Sequence, residues 1–404
     1  MPREKLSIEN ESGQKLAAVL ELPVGRKPHN YSIFAHCFTC SKNFKAVRNI
    51  SSALATKGFG VLSLDFTGLG ESEGDFKDTN FSSSVGDLLS AAAYLKENHV
   101  AARLLVGHSL GGTTALMAAD SLPEIAGIAT IGSPSMPDHV KRLFSSEIEN
   151  IRKAGYADVS IGGQSFRLKK QFIDDVESQD ISKALSAGER AYLFLHSPQD
   201  QIVSIDNAAE LYKAARHPKS FISLDGADHL LTDEEDACYT GSVIAAWAER
   251  YVSIPEPPAL STDSHTVAYL AKADKFTTHV MADKHRFIAD EPEGFGGDDL
   301  GPSPYQLISS GLAACTVMTL RLYADRKGWD LQEVFCHIRH EKVHLEDCVD
   351  CDNPKARIDK FTRELELIGD LDDGQKTRMM EIADKCPVHK TLEGIANIET
   401  RLLR

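Results

Sequence analysis

Six apolar runs of strand length mark the first part of the chain: YSIFAH (31–36), GVLSLD (60–65), RLLVGH (103–108), AGIATI (126–131), AYLFLH (191–196) and SFISLD (220–225). They are continuous rather than alternating, which is how parallel strands buried on both faces read. Helix-length stretches such as 82–96 and 111–121 lie between them. This alternation predicts an α/β class with a doubly wound sheet. Residues 138–185 break the rhythm. They contain no clear run of that kind and read as a polar, partly helical insertion suited to forming a lid.

The pattern changes after residues 251–264, YVSIPEPPALSTDS, where three prolines and four serine or threonine residues exclude an element interior. The predicted organisation is a first domain over 1–252, a linker over 253–264 and a smaller domain over 265–404. In the smaller domain, 334–344 and 361–368 alternate as half-exposed strands, with Leu365 and Leu367 set against Glu364 and Glu366. A long helical stretch, 303–326, ends at Gly328, a suitable C-cap. Its small residues (Ser309, Ser310, Gly311, Ala313, Ala314) predict a central, buried helix. The second domain is therefore read as α+β.

Composition narrows the class. The 404 residues carry a net charge of −15, which disfavours nucleic acid and anionic membranes as partners. The opening MPREKLSIENESG has no apolar segment or cleavage site, and no stretch is read as reaching the roughly 18 apolar residues of a membrane span. A cytoplasmic protein is the expectation. Eight cysteines in that setting are read as thiols with chemistry rather than as a disulfide scaffold. No cofactor is called for, and no resident metal is assigned.

Gly107-His108-Ser109-Leu110-Gly111 fits G-x-S-x-G, entered by an apolar strand and followed by a helix. Such a strained turn exposes the serine hydroxyl, and the flanking glycines remove clashing side chains. A serine nucleophile needs a base, and the base needs an orienting acid. With the order Ser, acid, His, each after a later strand, Asp200 in HSPQDQIVS and His229 in DGADHLL are the candidates. Asp228 is adjacent to the histidine and badly placed to orient its ring. The amide of Leu110 is the first expected oxyanion donor, and the loop after the first core strand should supply the second.

That loop, His36-Cys37-Phe38-Thr39-Cys40-Ser41, and the segment Asp65-Phe66-Thr67-Gly68-Leu69-Gly70-Glu71-Ser72 complete a resemblance to the α/β-hydrolase superfamily over residues 1 to about 250. They look most like small-acyl and feruloyl-type esterases with a His-Gly-Phe-Thr-Gly loop. The resemblance implies ester substrates and the Phe38 amide as second donor. Both glycines of that loop are cysteines here, Cys37 and Cys40. The pair reads either as two small, buriable replacements or as a redox or metal half-site. If it oxidises, the expectation is a deformed oxyanion loop and a silenced esterase.

The second part resembles the OsmC/Ohr family of peroxide-reducing proteins over about 266–404. The motifs are Gly301-Pro302-Ser303-Pro304-Tyr305-Gln306-Leu307 leading into Ala313-Ala314-Cys315, and Lys385-Cys386-Pro387. The resemblance implies an intertwined homodimer, Cys315 as the thiolate that attacks an organic hydroperoxide, Cys386 as its resolving partner, and a dithiol reductant. Tyr305 stands where the family has the glutamate that helps activate the thiol. The activating arginine has no motif, and Arg286 in HRFIADEP is the candidate. The alternative is a single-activity esterase whose second domain is a dimerisation or regulatory module. His340, His344, Cys348 and Cys351 read as a zinc site, a loop disulfide or an unliganded pair. Cys238 and Cys336 read as packing residues.

Overall fold

The structure is a computed structural model that describes every residue except 38–39, 162–163, 188, 345–356 and 403–404. The chain forms two compact units, Met1–Pro257 and Pro258–Arg404.

Among the described residues the first unit holds ten strands: β1 (Arg3–Glu9), β2 (Lys15–Glu21), β3 (Asn30–Ala35), β4 (Phe59–Leu64), β5 (Leu104–His108), β6 (Gly127–Ile131), β7 (Tyr156–Ile161), β8 (Gln164–Lys169), β9 (Ala191–His196) and β10 (Lys219–Ser223). Eight of them form one sheet in the order β1-β2-β4-β3-β5-β6-β9-β10. From β4 to β10 all neighbours are parallel. β1 and β2 add an antiparallel edge that the apolar runs did not predict. Strands β3, β4, β5, β6 and β9 are buried at every residue, as continuous apolar runs require, whereas edge strands β1 and β10 are partly exposed.

Helices cover both faces. Successive strand residues point to opposite sides, so Leu104, Val106, Leu193 and Leu195 join one apolar core and Leu105, Tyr192 and Phe194 another. Helices α1 (Lys45–Thr56) and α8 (Glu234–Ala248) close the first through Val47, Ile50, Leu54 and Ile244. Helices α2 (Phe81–Asn98), α3 (Leu110–Ala118), α6 (Ile181–Ala187) and α7 (Asp206–Ala214) close the second through Leu88, Leu95, Leu116, Leu185 and Leu211.

The insertion differs from its reading as polar. It contains the antiparallel hairpin β7–β8 as well as α4 (Ile148–Ala154) and α5 (Lys170–Ser178). Val140, Phe144, Ile151, Val159, Leu168, Phe172 and Ile173 form their own apolar cluster, which also takes in Phe81 and Leu110. Alternation over only six residues per strand, with polar outer positions, hid both the hairpin and its core.

In the second unit, β11 (Thr266–Tyr269), β12 (Thr278–Ala282) and β13 (His285–Ala289) make a small antiparallel sheet. A long hairpin pairs β14 (Asp330–His344) with β15 (Arg357–Asp370). Helix α9 (Pro304–Lys327) starts at a capping box between Ser303 and Gln306 and stops at Gly328 in the left-handed conformation, φ 67°. It packs against β14 and against α10 (Asp373–Ala383), and α11 (Pro387–Glu393) follows. Leu320, Ala324, Leu331, Met379 and Ile382 form this unit's core.

Two expectations about α9 change. It is not buried all round: Leu312, Thr316, Leu320 and Ala324 form one buried stripe, while Met318 is 63% and Leu322 71% exposed. Small residues here make a narrow contact stripe rather than an encircled helix. By length and composition alone, with mean hydropathy 1.4, α9 also reaches the range of a membrane-crossing helix, which the sequence reading did not credit.

Candidate active site

Ser109 sits between the end of β5 and the start of α3 at φ 54°, a conformation non-glycine residues rarely adopt. Close packing enforces the turn. A Cβ at Gly107 would lie 2.4 Å from Gly111 O, and one at Gly111 would lie 2.3 Å from Ala35 O. The Ser109 N–H donates to Ile131 O at 2.8 Å, tying the elbow to β6.

The three residues predicted from scattered loops come together. His229 Nε2 lies 3.1 Å from Ser109 Oγ, and His229 Nδ1 lies 2.7 Å from Asp200 Oδ2. The other Asp200 oxygen accepts from the amides of Ile202 and Val203 at 2.8 and 2.9 Å. Burial pushes the Asp200 carboxyl up. The His229 hydrogen bond and the two amides outweigh it, so its pKa falls below the ordinary value. Asp228 is occupied elsewhere, by the Thr232 amide and hydroxyl.

Several supporting residues carried no signal in sequence. His108 Nε2 donates to His229 O at 2.7 Å. Burial first, and then the neighbouring His229, lower the His108 pKa to about 4, so it is neutral at pH 7. His196 Nε2 donates to Val203 O at 2.8 Å, bracing the loop that presents Asp200. Gly132, at φ 54°, leaves room beside the pair: a Cβ there would be 3.3 Å from Asp200 Oδ2 and His229 Nδ1. From the insertion, His139 carries a buried Nε2 without a hydrogen-bond partner. Burial lowers its pKa, and it lies within electrostatic reach of His229 and Asp200.

Leu110 is the first residue of α3, where an amide has no intrahelical acceptor. Phe38, the second expected donor, lies outside the described residues. The flanks of its loop are held firmly. Lys42 is nearly buried, and its Nζ meets Asp65 Oδ2 at 2.6 Å and Glu71 Oε2 at 2.8 Å. Burial works against the Lys42 charge, but the two carboxylates more than offset it and raise its pKa. The Lys42 amide donates to Asp65 Oδ1 at 2.6 Å.

Cys37 and Cys40 are joined in a disulfide. It coexists with an assembled Ser109–His229–Asp200 array, and the stretch between the two cysteines, where the expected deformation of the oxyanion loop would fall, lies outside the described residues. A cavity of about 20 Å³ lies behind this loop, lined by His36, Phe66, Leu69, Leu110 and Phe172. The insertion thus closes against the residue that follows the serine.

In the second unit, Cys315 on α9 and the buried Cys386 at the start of α11 hydrogen-bond to each other. Burial pushes both thiols up. For Cys386 the Cys315 thiol, the amides of His389 and Val388 and the Thr316 hydroxyl overcome it, and the net shift is downward. The Cys315 thiol is raised by burial and by Cys386. Cys386 therefore ionises first, with Cys315 as its donor. Cys336 on β14 also meets the Thr316 hydroxyl.

Arg286 Nη1 donates to Pro258 O at 3.2 Å. The guanidinium that meets Thr316 is Arg363 of β15: its Nη1 donates to Thr316 Oγ1 at 3.2 Å and to Ala383 O at 3.0 Å, and it pairs with Asp384. Tyr305 stacks on His340 with ring centroids 4.7 Å apart and 8° between planes, and His340 stacks in turn on Phe361. Tyr305 and His340 border a cleft of about 460 Å³ between α9 and β14 that is also lined by Ser309, Ala313 and Ile338. His340 Nε2 is taken by Asp359 at 2.8 Å. Cys348, Cys351 and the His344 side chain lie outside the described residues. No cluster of three metal-ligating side chains occurs among the described residues.

Comparison with known proteins finds two family matches along the chain, which meet at residue 295 rather than at the division between the two units. Residues 33–295 match the alpha/beta hydrolase family, and residues 296–401 match OsmC-like proteins. The esterase domain of a Rhodothermus marinus protein is 46% identical, with a TM-score of 0.53, and covers 63% of this chain and 100% of that one. Est1E from Butyrivibrio proteoclasticus, solved with ferulic acid bound, shares the fold at 18% identity and TM-score 0.50, over 60% of this chain and 98% of its own. The uncharacterized protein YfhR of Salmonella typhi is 25% identical over 209 residues, 51% of this chain and 67% of that protein. The elbow on a mostly parallel sheet and these matches agree: the chain belongs to the α/β-hydrolase family and carries an OsmC-like domain after its hydrolase domain.

Proposed function

We propose that the first unit is a serine ester hydrolase acting on small acyl or aryl esters. The observation that carries this reading is the continuous hydrogen-bonded path from Ser109 Oγ through His229 to Asp200. His229 takes the hydroxyl proton as Ser109 attacks the ester carbonyl. Asp200, held ionised by its amides, fixes the ring with Nδ1 protonated and stabilises the imidazolium. The Leu110 amide, with Phe38 as its partner donor, stabilises the tetrahedral oxyanion. His229 then protonates the leaving alcohol, and water, activated by the same imidazole, hydrolyses the acyl-serine. The likeness to esterases supports an acyl or aryl ester. The test is a panel of nitrophenyl esters of increasing acyl length: the wild type gives a burst of nitrophenol, and Ser109→Ala gives none. Equal turnover by the variant would overturn the reading.

For the second unit we propose an organic hydroperoxide reductase that works as a homodimer. The hydrogen-bonded Cys315–Cys386 pair supports it. Cys315 attacks the distal peroxide oxygen while its proton passes to the Cys386 thiolate. The O–O bond breaks, Cys315 becomes a sulfenic acid and the alkoxide leaves to be protonated as an alcohol. Cys386 then displaces hydroxide from the sulfenic sulfur, forming a disulfide and water. A dithiol reductant restores both thiols. The exposed Met318 and Leu322 on α9 support a partner copy. A second reading, a dimerisation or regulatory module without turnover, is favoured by Tyr305, which stacks on His340 and brings no carboxylate at its own position. Cumene hydroperoxide consumption with a dithiol, compared between wild type and Cys315→Ser, separates the two.

A further inference from the structure

Cys336 belongs to the thiol cluster rather than to packing alone. On β14 it pairs with Leu365, so it shares a sheet face with Ile338 and His340. That face lies against α9, since Ile338 lines the cleft beside Ala313 and His340 stacks on Tyr305. There Cys336 meets the Thr316 hydroxyl, as Cys386 does, and Cys336 lies within electrostatic reach of Cys386. Arg363 contacts the same hydroxyl. One oxygen thus gathers a strand thiol, the Cys315-bonded thiol and a guanidinium. Burial raises the Cys336 thiol above its ordinary range, and Arg363 and Thr316 offset part of that.

We infer that Cys336 is a third exchange thiol, which moves the disulfide from Cys315–Cys386 to Cys336–Cys386. Only the source of the first disulfide rests on the peroxidase reading. In the exchange step Cys336 loses its proton and its sulfur attacks Cys386 Sγ. A new S–S bond forms and the bond to Cys315 breaks. Cys315 leaves as a thiolate and takes up a proton. Nothing is oxidised overall, because the two electrons left with the hydroperoxide in the earlier step. The partly exposed Cys315 is thereby free for a second peroxide while the oxidising equivalent rests on the strand.

The test uses the full chain. Cys315→Ser is treated with diamide, which oxidises thiols directly, then quenched with acid and N-ethylmaleimide, digested and mapped by mass. The expected result is a peptide linked through Cys336 and Cys386, formed faster at pH 8 than at pH 6 and absent when Cys336→Ser is added. Wild type given one equivalent of cumene hydroperoxide should show both linkages, with the Cys336 linkage growing as the Cys315 linkage declines. Free Cys336 and Cys386 in diamide-treated Cys315→Ser, beside a normal Cys315–Cys386 link in wild type, would overturn the inference. A Cys336–Cys386 link with diamide but no hydroperoxide consumption by wild type would overturn the peroxidase reading and leave the exchange thiol standing. Thermal unfolding of each variant confirms that near-isosteric serine leaves the fold intact.

Discussion

His108 Nε2 donates to the carbonyl oxygen of His229 at 2.7 Å, so the residue before the serine holds the backbone of the histidine whose ring meets that serine. Removing the donor leaves a part-buried carbonyl unpaired, a cost of about 1–3 kcal/mol at its upper bound. His108→Ala should lower kcat for nitrophenyl acetate about tenfold to a hundredfold while KM changes little. His108→Gln, whose amide can reach the same carbonyl, should recover most of the loss. Equal damage from both would show that the ring's shape matters rather than its hydrogen bond.

The same imidazole makes stability depend on pH. Its folded pKa, about 4, lies below the unfolded value of 6.5. Between those values the unfolded chain binds a proton that the folded chain does not, so stability rises with pH through that window. The contribution is complete above about pH 6.5 and, at its upper bound, amounts to on the order of 3 kcal/mol lost by about pH 4. Urea unfolding of the wild type across that range should be steeper with pH than that of His108→Gln, by about one proton. Parallel slopes would contradict the assignment.

What could be read in sequence divides by distance along the chain. Fully buried strands such as β5 and β9 announce themselves as apolar runs, and the Gly107–Gly111 motif carries its own geometry. Asp200 and His229 were placed by their positions after strands. His108 was visible inside the motif, yet its partner is a backbone carbonyl far along the chain, and no residue type at 229 encodes that contact. Arg363 escaped for a related reason. Its meeting with Thr316 depends on the register of β15 against β14 and on how α9 lies across them, neither of which alternation reports. Tyr305 reads in sequence only as a lost glutamate, because its stack on His340, and that ring's stack on Phe361, depend on how α9 lies over the hairpin.

Lys42 and Asp65 form a nearly buried ion pair at 2.6 Å that ties the oxyanion loop to the turn after β4. Breaking such a pair from one side leaves an uncompensated charge and costs about 3–5 kcal/mol. Lys42→Met should therefore lower the melting temperature and reduce kcat for esters. The double variant Lys42→Met, Asp65→Leu should recover much of the stability, because no buried charge is left alone. It should not recover kcat, because the Lys42 and Glu71 amides lose their carboxylate anchor. Calorimetry and ester kinetics on the three proteins check both halves. Recovery of activity together with stability would show that the pair does nothing for the loop's position.

Phe172 sits in the insertion's apolar cluster together with Leu110, the residue proposed to supply an oxyanion amide. Truncating a buried phenylalanine costs about 3–5 kcal/mol when the site cannot collapse. The ring also lines the cavity beside Leu110, so Phe172→Ala enlarges it. The expected outcome is a shift of the preferred acyl chain towards longer esters, read as a changed ratio of kcat/KM between butyrate and octanoate. Phe144→Ala belongs to the same cluster but is not among the residues that line the cavity. It should weaken the fold comparably and leave the ratio near its wild-type value. An equal shift in both would assign the effect to a loosened insertion rather than to the cavity.

Arg363 joins three things that must stay together around the thiols: the Thr316 hydroxyl, the Ala383 carbonyl and the Asp384 carboxylate just ahead of Cys386. Lysine keeps the charge but lacks the planar fork that spans these acceptors. Arg363→Lys should therefore preserve the charge beside Cys336 yet loosen the segment before Cys386. Arg363→Ala removes both. Rates of thiol labelling followed against pH, with mass spectrometry assigning each site, distinguish the two effects. The Cys336 midpoint should rise in Arg363→Ala more than in Arg363→Lys, because Arg363 favours its thiolate. The Cys386 midpoint should rise in both, because its lowered value depends on staying against the amides of Val388 and His389 and against Thr316. An unchanged Cys386 midpoint in both variants would mean that α11 holds this thiol without help from the sheet.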